Sequence, residues 1–173
     1  MRIDNRDIPK GSKVKWNFLA AEMTVNKIEI PVTVINGVKD GPTVVITAGV
    51  HPNELIGQAA TVHLAKELEP EDIAGTLIFV HIENPMGLQF KYANRSPLDN
   101  VNMNSVFPTG MEKGEDMGKD SLHLGISPTK QAAERIFHTF ISLADWHVDM
   151  HGGELFEDLD FNIEILPIGT EVD

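Results

Sequence analysis

An α/β fold follows from three features of this chain. Thr43–Val50 is a short apolar run, residues 53–68 carry apolar side chains at helical spacing, and Thr76–Ile82 is an unbroken apolar run. Strand, helix and strand in so short a stretch make a βαβ unit, which implies a right-handed crossover and an α/β sheet. A further helix-to-strand succession over residues 128–150 repeats the pattern.

Taken in order, residues 1–40 read as short strands separated by turns. Lys27–Ile35 alternates in polarity and ends at Asn36-Gly37, a hairpin-type signal. Asp40, Gly41 and Pro42 then interrupt the chain before the strand at 43–50. Leu55, Ile56, Ala59, Ala60, Val62 and Leu64 mark an amphipathic helix over about 53–68. Gly75 introduces the run 76–82, which has the composition of a buried parallel strand. Residues 83–127 lack periodicity and are rich in Asn, Gly, Pro and Asp, so they read as a long functional loop. Ser127-Pro128 starts a second helix with Ala132, Ala133, Ile136, Phe137, Phe140 and Ile141 on one face. Strands are expected at 145–150 and at Phe161–Leu166.

At 173 residues the chain suits one domain with a sizeable core. Its 26 acidic against 14 basic residues give a net charge of −12, which argues against a nucleic-acid partner. A small anionic substrate stays compatible, because a metal and one local Arg can dominate the field inside a cleft. With no cysteine there are no disulfides and no thiolate ligands, so any metal rests on His, Asp or Glu. The first residues lack the apolar stretch of a signal peptide and no run reaches membrane-spanning length. A cytoplasmic protein without membrane contact is the expectation, and a homo-oligomer is compatible with it.

Two clusters carry chemistry. His51 and Glu54 stand three apart where the strand 43–50 passes into the helix, so one helical turn would bring both to one ion. Asp149, His151, Gly152 and Gly153 close the strand at 145–150, with the glycines leaving room for a substrate. Two imidazoles and one carboxylate from strand ends match a three-ligand zinc site with a fourth position open for water. The plainer alternative is a helix-starting His and a first-turn acid favoured by the helix dipole. His147, Asp149 and His151 alternate on one strand face, but about 6–7 Å between such side chains is too wide for three ligands on one ion. Asp149 therefore reads as a helper behind a ligand. His63 and His81 read as core or rim residues, and His123 and His138 carry no signal.

Several elements then agree in order. They are GPTVVITAGVHPNE over 41–54, Asn84-Pro85, RSPLD over 95–99, NSVFP over 104–108 and DMHGG over 149–153. This succession resembles the succinylglutamate desuccinylase/aspartoacylase family of the zinc-carboxypeptidase-like superfamily, with Pro52 where the family usually has Gly. The resemblance implies a three-layer α/β/α fold on a mixed, largely parallel sheet. Residues 1–40 would form an N-terminal β segment packed on a catalytic domain over 41–173, itself incomplete at its C-terminus. It also implies one Zn2+ held by His51, Glu54 and His151, with Arg95 polarising the scissile carbonyl and Asn104 contacting the substrate carboxylate.

Two departures stand out. Ser105 replaces a second family Arg and cannot form the bidentate pair with a substrate carboxylate. The family's general base is a Glu well downstream of the third ligand. Glu171 lies too close to His151 for that layout, Glu164 is the other late acid, and Glu154 and Glu157 are closer still. The base is therefore expected to lie outside this sequence. The implied activity is zinc-dependent hydrolysis of an amide in a small N-acylated amino acid. The alternatives are a zinc- or ligand-binding module of the same fold without turnover, and a metallocarboxypeptidase.

Overall fold

The computed structural model describes residues 1–108 and 127–153. Strands β1 (Arg2–Ile3) and β2 (Arg6–Asp7) form a small hairpin. A five-stranded sheet follows, built from β3 (Ser12–Glu22), β4 (Lys27–Asn36), β5 (Lys39–Ala48), β6 (Ala74–Val80) and β7 (Trp146–Met150). Its order is β3-β4-β6-β5-β7. β3, β4 and β6 pair antiparallel, whereas β6, β5 and β7 run parallel. The sheet is therefore mixed, and the expected βαβ unit is present as β5, α1 (Leu55–Glu67) and β6. β3 and β4 are longer than the short strands expected of this region, because Val14, Trp16, Phe18 and Ala20 extend the alternation through Ser12–Glu22.

Helix α3 (Pro128–Thr139) covers one face of the sheet. Its Ala132, Ala133 and Ile136, with Phe140 just beyond, join a buried cluster containing Phe18, Val32, Val34, Val45, Ile78 and Val80. Phe18 and Phe140 meet edge to face at 4.8 Å between centroids, the geometry aromatic quadrupoles favour. Helix α1 covers the other face, where Ala65 packs with Ile35 and Phe79. The outcome is the three-layer α/β/α arrangement.

α1 does not use the face its apolar pattern suggests. It lays Gly57, Gln58, Thr61 and Ala65 against the sheet and leaves Leu55, Ile56, Val62 and Leu64 exposed. Close approach and polar contacts decide the orientation. A Cβ on Gly57 would meet the Met150 carbonyl oxygen at 2.8 Å, so only glycine lets the helix sit this near β7. Gln58 Nε2 donates to the Pro52 carbonyl at 2.9 Å and holds the β5–α1 loop to the helix.

His81 sits just past β6 in this layer. The Thr61 hydroxyl gives its one proton to the Gln58 carbonyl at 2.9 Å, so at 3.1 Å it accepts from His81 Nδ1. The opposite nitrogen, Nε2, then accepts from the Thr33 hydroxyl at 2.8 Å. Both contacts suit a neutral ring, and burial, helped by the charge of Lys15, lowers its pKa from 6.5 to about 4.

The region 83–127, read as loop, contains a short helix α2 (Pro85–Phe90) and a 3₁₀ turn at Met103–Ser105. Asn84 caps α2 by accepting from the Gly87 amide at 3.0 Å, and Pro85 takes the first helical position. The signal was legible as Asn-Pro, but six residues are too few to show a period. The expected strand at Phe161–Leu166 and the residue His123 lie outside the described residues.

Two outcomes follow. Gly57→Ala should lower stability by about 1–3 kcal/mol in urea titrations, although Ala in a free helix gains about 1 kcal/mol over Gly. A rise in stability would remove the close contact with β7. In the native state His81 charges only near pH 4, against 6.5 when unfolded, so the unfolded chain binds more protons between the two. Stability should thus be full above pH 6.5 and fall towards pH 4, by up to about 3 kcal/mol less the screening by nearby solvent. Thermal melts across this window should show that part of the loss missing in His81→Gln.

Candidate metal centre

Parallel pairing of β5 with β7 sets Ala48 beside Met150, so both strands end side by side. Gly49, at φ +75°, turns the chain off β5 and lets Gln58 pack against its backbone. The next residues bring His51 and Glu54 over the sheet end, and His151 follows directly from β7. Carboxyl ends of parallel strands are where ligands gather in open α/β sheets.

His51 and Glu54 meet through a tight turn rather than a helical turn. The Glu54 amide donates to the His51 carbonyl at 3.2 Å, and Glu54 occupies the N-cap of α1 with φ −82° and ψ 75°. The expectation of a shared first helical turn is corrected on this point, and the three-residue spacing still serves.

Glu54 bridges both imidazoles. Its Oε1 lies 2.8 Å from His51 Nδ1, and its Oε2 lies 3.1 Å from His151 Nδ1 and accepts from the Gly152 amide at 3.0 Å. The two rings stand 5.1 Å apart, and one ligand atom from each of the three residues falls within 4.8 Å of the others. Glu54 is only 7% exposed. Such a donor set, two nitrogens and one carboxylate oxygen converging on one point, fits a divalent ion of the zinc type.

A second layer fixes the ligands. His151 Nε2 is 2.9 Å from Asp149 Oδ2, so its Nδ1 is the nitrogen turned to the centre. That hydrogen bond, against the opposing effect of burial, raises the His151 pKa, and the charges of Asp149 and Glu54 add to it. Burial pushes Asp149 up, yet the hydrogen bonds and charge of His151, the hydroxyl of Thr47 and the charge of His147 hold it below the ordinary carboxylate value. Thr47 donates to Asp149 Oδ1 at 2.8 Å. Having spent its only proton there, Thr47 must accept from His147 Nε2 at 3.0 Å. His147 is thus a support of Asp149 rather than a ligand, and burial keeps its pKa low. Glu83 is fully buried nearby, and burial, with the charge of Asp149, raises its pKa well above the ordinary carboxylate value.

Thr47 and Glu83 were invisible as site residues in the sequence. Thr47 becomes legible only once β5 and β7 are in register, and a Glu at a strand end carries no pattern of its own.

The remaining candidates stand apart from the triad. Arg95 is exposed and donates to the Asn100 carbonyl at 2.8 Å. Asn104 and Ser105 are exposed in the 3₁₀ turn that Asn102 caps. Among the described residues no hydrogen bond or ion pair joins Arg95 or Asn104 to His51, Glu54 or His151. Asp99 anchors this stretch, accepting from the Ser127 and Thr129 hydroxyls at 2.6 and 2.7 Å and from the Thr129 amide at 3.0 Å. His63 is on the surface beside Glu67. Glu154, Glu157, Glu164 and Glu171 lie outside the described residues.

Residues 40–155 match the model of the succinylglutamate desuccinylase/aspartoacylase catalytic domain. An N-alpha-acetyl-L-2,4-diaminobutyric acid deacetylase of Halomonas elongata is 31% identical over 128 residues, which are 73% of this chain and 32% of that protein. The crystal structure of a succinylglutamate desuccinylase/aspartoacylase from Rhodobacter sphaeroides superposes with a TM-score of 0.67 at 29% identity, covering 87% of this chain and 43% of that one. A carboxypeptidase A from Helicoverpa armigera shares the fold alone, with a TM-score of 0.55 at 16% identity over 80% of this chain and 41% of that one. The chain spans about a third of the deacetylase and less than half of the solved relatives. On the match over residues 40–155, this chain belongs to the succinylglutamate desuccinylase/aspartoacylase family.

Proposed function

We propose that this chain carries the zinc-binding part of a hydrolase that removes the acyl group from a small N-acylated amino acid. The observation that supports this most is Glu54 set between His51 Nδ1 and His151 Nδ1, with Asp149 fixing the far side of His151. The relative from Halomonas elongata is by name a deacetylase of an N-acetylated diamino acid, which is the same reaction class.

A zinc ion, when bound, polarises the scissile carbonyl and brings the pKa of bound water towards neutrality. The chain's residues do the rest of the work. His51, Glu54 and His151 supply the donors, and the Asp149–Thr47–His147 series fixes the ring of His151. Gly152 and Gly153 leave space beside the centre for the acyl group. Arg95 is assigned to the developing oxyanion, for which its guanidinium leaves the Asn100 carbonyl. Asn104 is assigned to the substrate carboxylate. Ser105 offers a hydroxyl where a second Arg would grip the substrate carboxylate, so a strictly acidic acyl-amino acid is not the favoured substrate.

A second reading is a zinc- or ligand-binding module without turnover. The carboxylates beside the triad support it: Asp149 is committed to His151 and Thr47, and Glu83 is fully buried. A metallocarboxypeptidase is disfavoured by Ser105.

Competition against a chromogenic chelator should show one zinc per chain. Asp149→Asn should weaken zinc binding about 10–100-fold, and His51→Ala or His151→Ala more. Equal affinity in His151→Ala would remove the metal assignment. Zinc at about 100 times its Kd should stabilise the chain by about 2.7 kcal/mol in thermal melts, an increment that a chelator reverses.

Acetate release from N-acetyl-diaminobutyrate and other N-acetyl amino acids by the full-length protein, which includes the expected downstream base, separates the two readings. Hydrolysis that is lost with chelator and in His151→Ala, and reduced about 10²–10³-fold in Arg95→Ala, supports the deacylase. Tight zinc binding with no acetate released supports the module.

A further inference from the structure

A cleft of about 510 Å³ opens on the α1 side of the sheet, between that helix and strands β3 and β4. None of its lining residues belongs to the metal centre. Its walls on α1, at Val62 to Lys66, lie about 12–18 Å along the helix from Glu54. Pro31, Val62 and Ala65 make an apolar floor, and Thr33 and His81 close it.

The rims carry charge. Lys15 and Asn17 stand on β3 and Lys66 on α1, and all three are exposed at the mouth. Alternation along β3 puts Lys15 and Asn17 on one face. Lys10 pairs with Asp40, Lys13 with Glu69, Lys27 with Glu22 and Lys130 with Glu134, whereas Lys15, Lys39, Lys66 and Lys91 form no ion pair among the described residues. Neither Lys15 nor Lys66 has a carboxylate partner among the described residues, in a chain with 26 acids to 14 bases. Two lysines without an acid partner therefore line one cleft, Lys15 from β3 and Lys66 from α1.

We propose that this cleft is a second binding site, for a small aliphatic dicarboxylate. One carboxylate meets Lys15 and the Asn17 amide, the other meets Lys66, and the methylenes lie over Val62, Ala65 and Pro31. His81 cannot contribute charge, because its neutral ring is spent on Thr33 and Thr61. The site is independent of the metal centre and of the reaction assigned to it.

Titration of the isotope-labelled full chain with glutarate tests this by amide NMR. Saturable shifts are expected at the Asn17 side-chain amide and at the Thr33 and Ala65 backbone amides, with a Kd in the millimolar range or tighter. K15Q and K66Q should each weaken binding about fivefold, the weight of one exposed ion pair, and the double variant should abolish it. Both positions are exposed, so the variants should keep the wild-type melting temperature. Glutarate should bind His151→Ala as it binds wild type. Shifts confined to Gly152 and its neighbours, equal shifts with uncharged glutaramide or with inorganic phosphate, or indifference to K15Q and K66Q would each overturn the proposal.

Discussion

The parallel pairing of β5 with β7 is the constraint on which the centre depends. It joins residues about a hundred positions apart, setting Thr47 beside Asp149 and Ala48 beside Met150. Every later contact uses that register. A slip of one residue would turn Asp149 and His147 to the opposite face, because side chains alternate with a period of two. Gly57 completes the geometry by letting α1 approach β7 at Met150, which brings Glu54 between the two imidazoles. The fold thus brings the three candidate ligands together from two strand ends and one helix start, while α3 and the buried cluster pack on the other face.

Electrostatics then separates the acids at the strand ends into different roles. Glu54 is shared by two imidazoles, and the carboxyl of Asp149 is held below the ordinary carboxylate value by His151, Thr47 and His147. Burial and the charge of Asp149 instead raise the pKa of Glu83 well above the ordinary carboxylate value. The negative charge at the strand ends is therefore concentrated on the two acids that face the ligand rings.

Legibility in the sequence followed the range of the interactions. His51, Glu54 and His151 could be read because the first two are local to one turn and the third ends a strand. The βαβ unit and the face of α3 were equally plain, since apolar periodicity reports burial when the partner is a large apolar surface. α1 defeated the same rule, for its contact is made by Gly57, Gln58, Thr61 and Ala65, whose small or polar side chains carry no hydrophobic signal. The roles of Thr47 and His147 depend on a register between strands far apart in sequence, which one sequence does not encode locally. Arg95 was assigned by resemblance, and its contact with Asn100 is a matter of loop and rotamer that no spacing reveals.

Glu54 and the two imidazoles beside it are assigned here to a single metal site. X-ray absorption at the zinc edge on the zinc-loaded full chain measures the donors directly. The account predicts the multiple-scattering pattern of two imidazoles together with oxygen donors and no sulfur. A spectrum with fewer than two imidazoles, or one unchanged in His51→Ala, would contradict it.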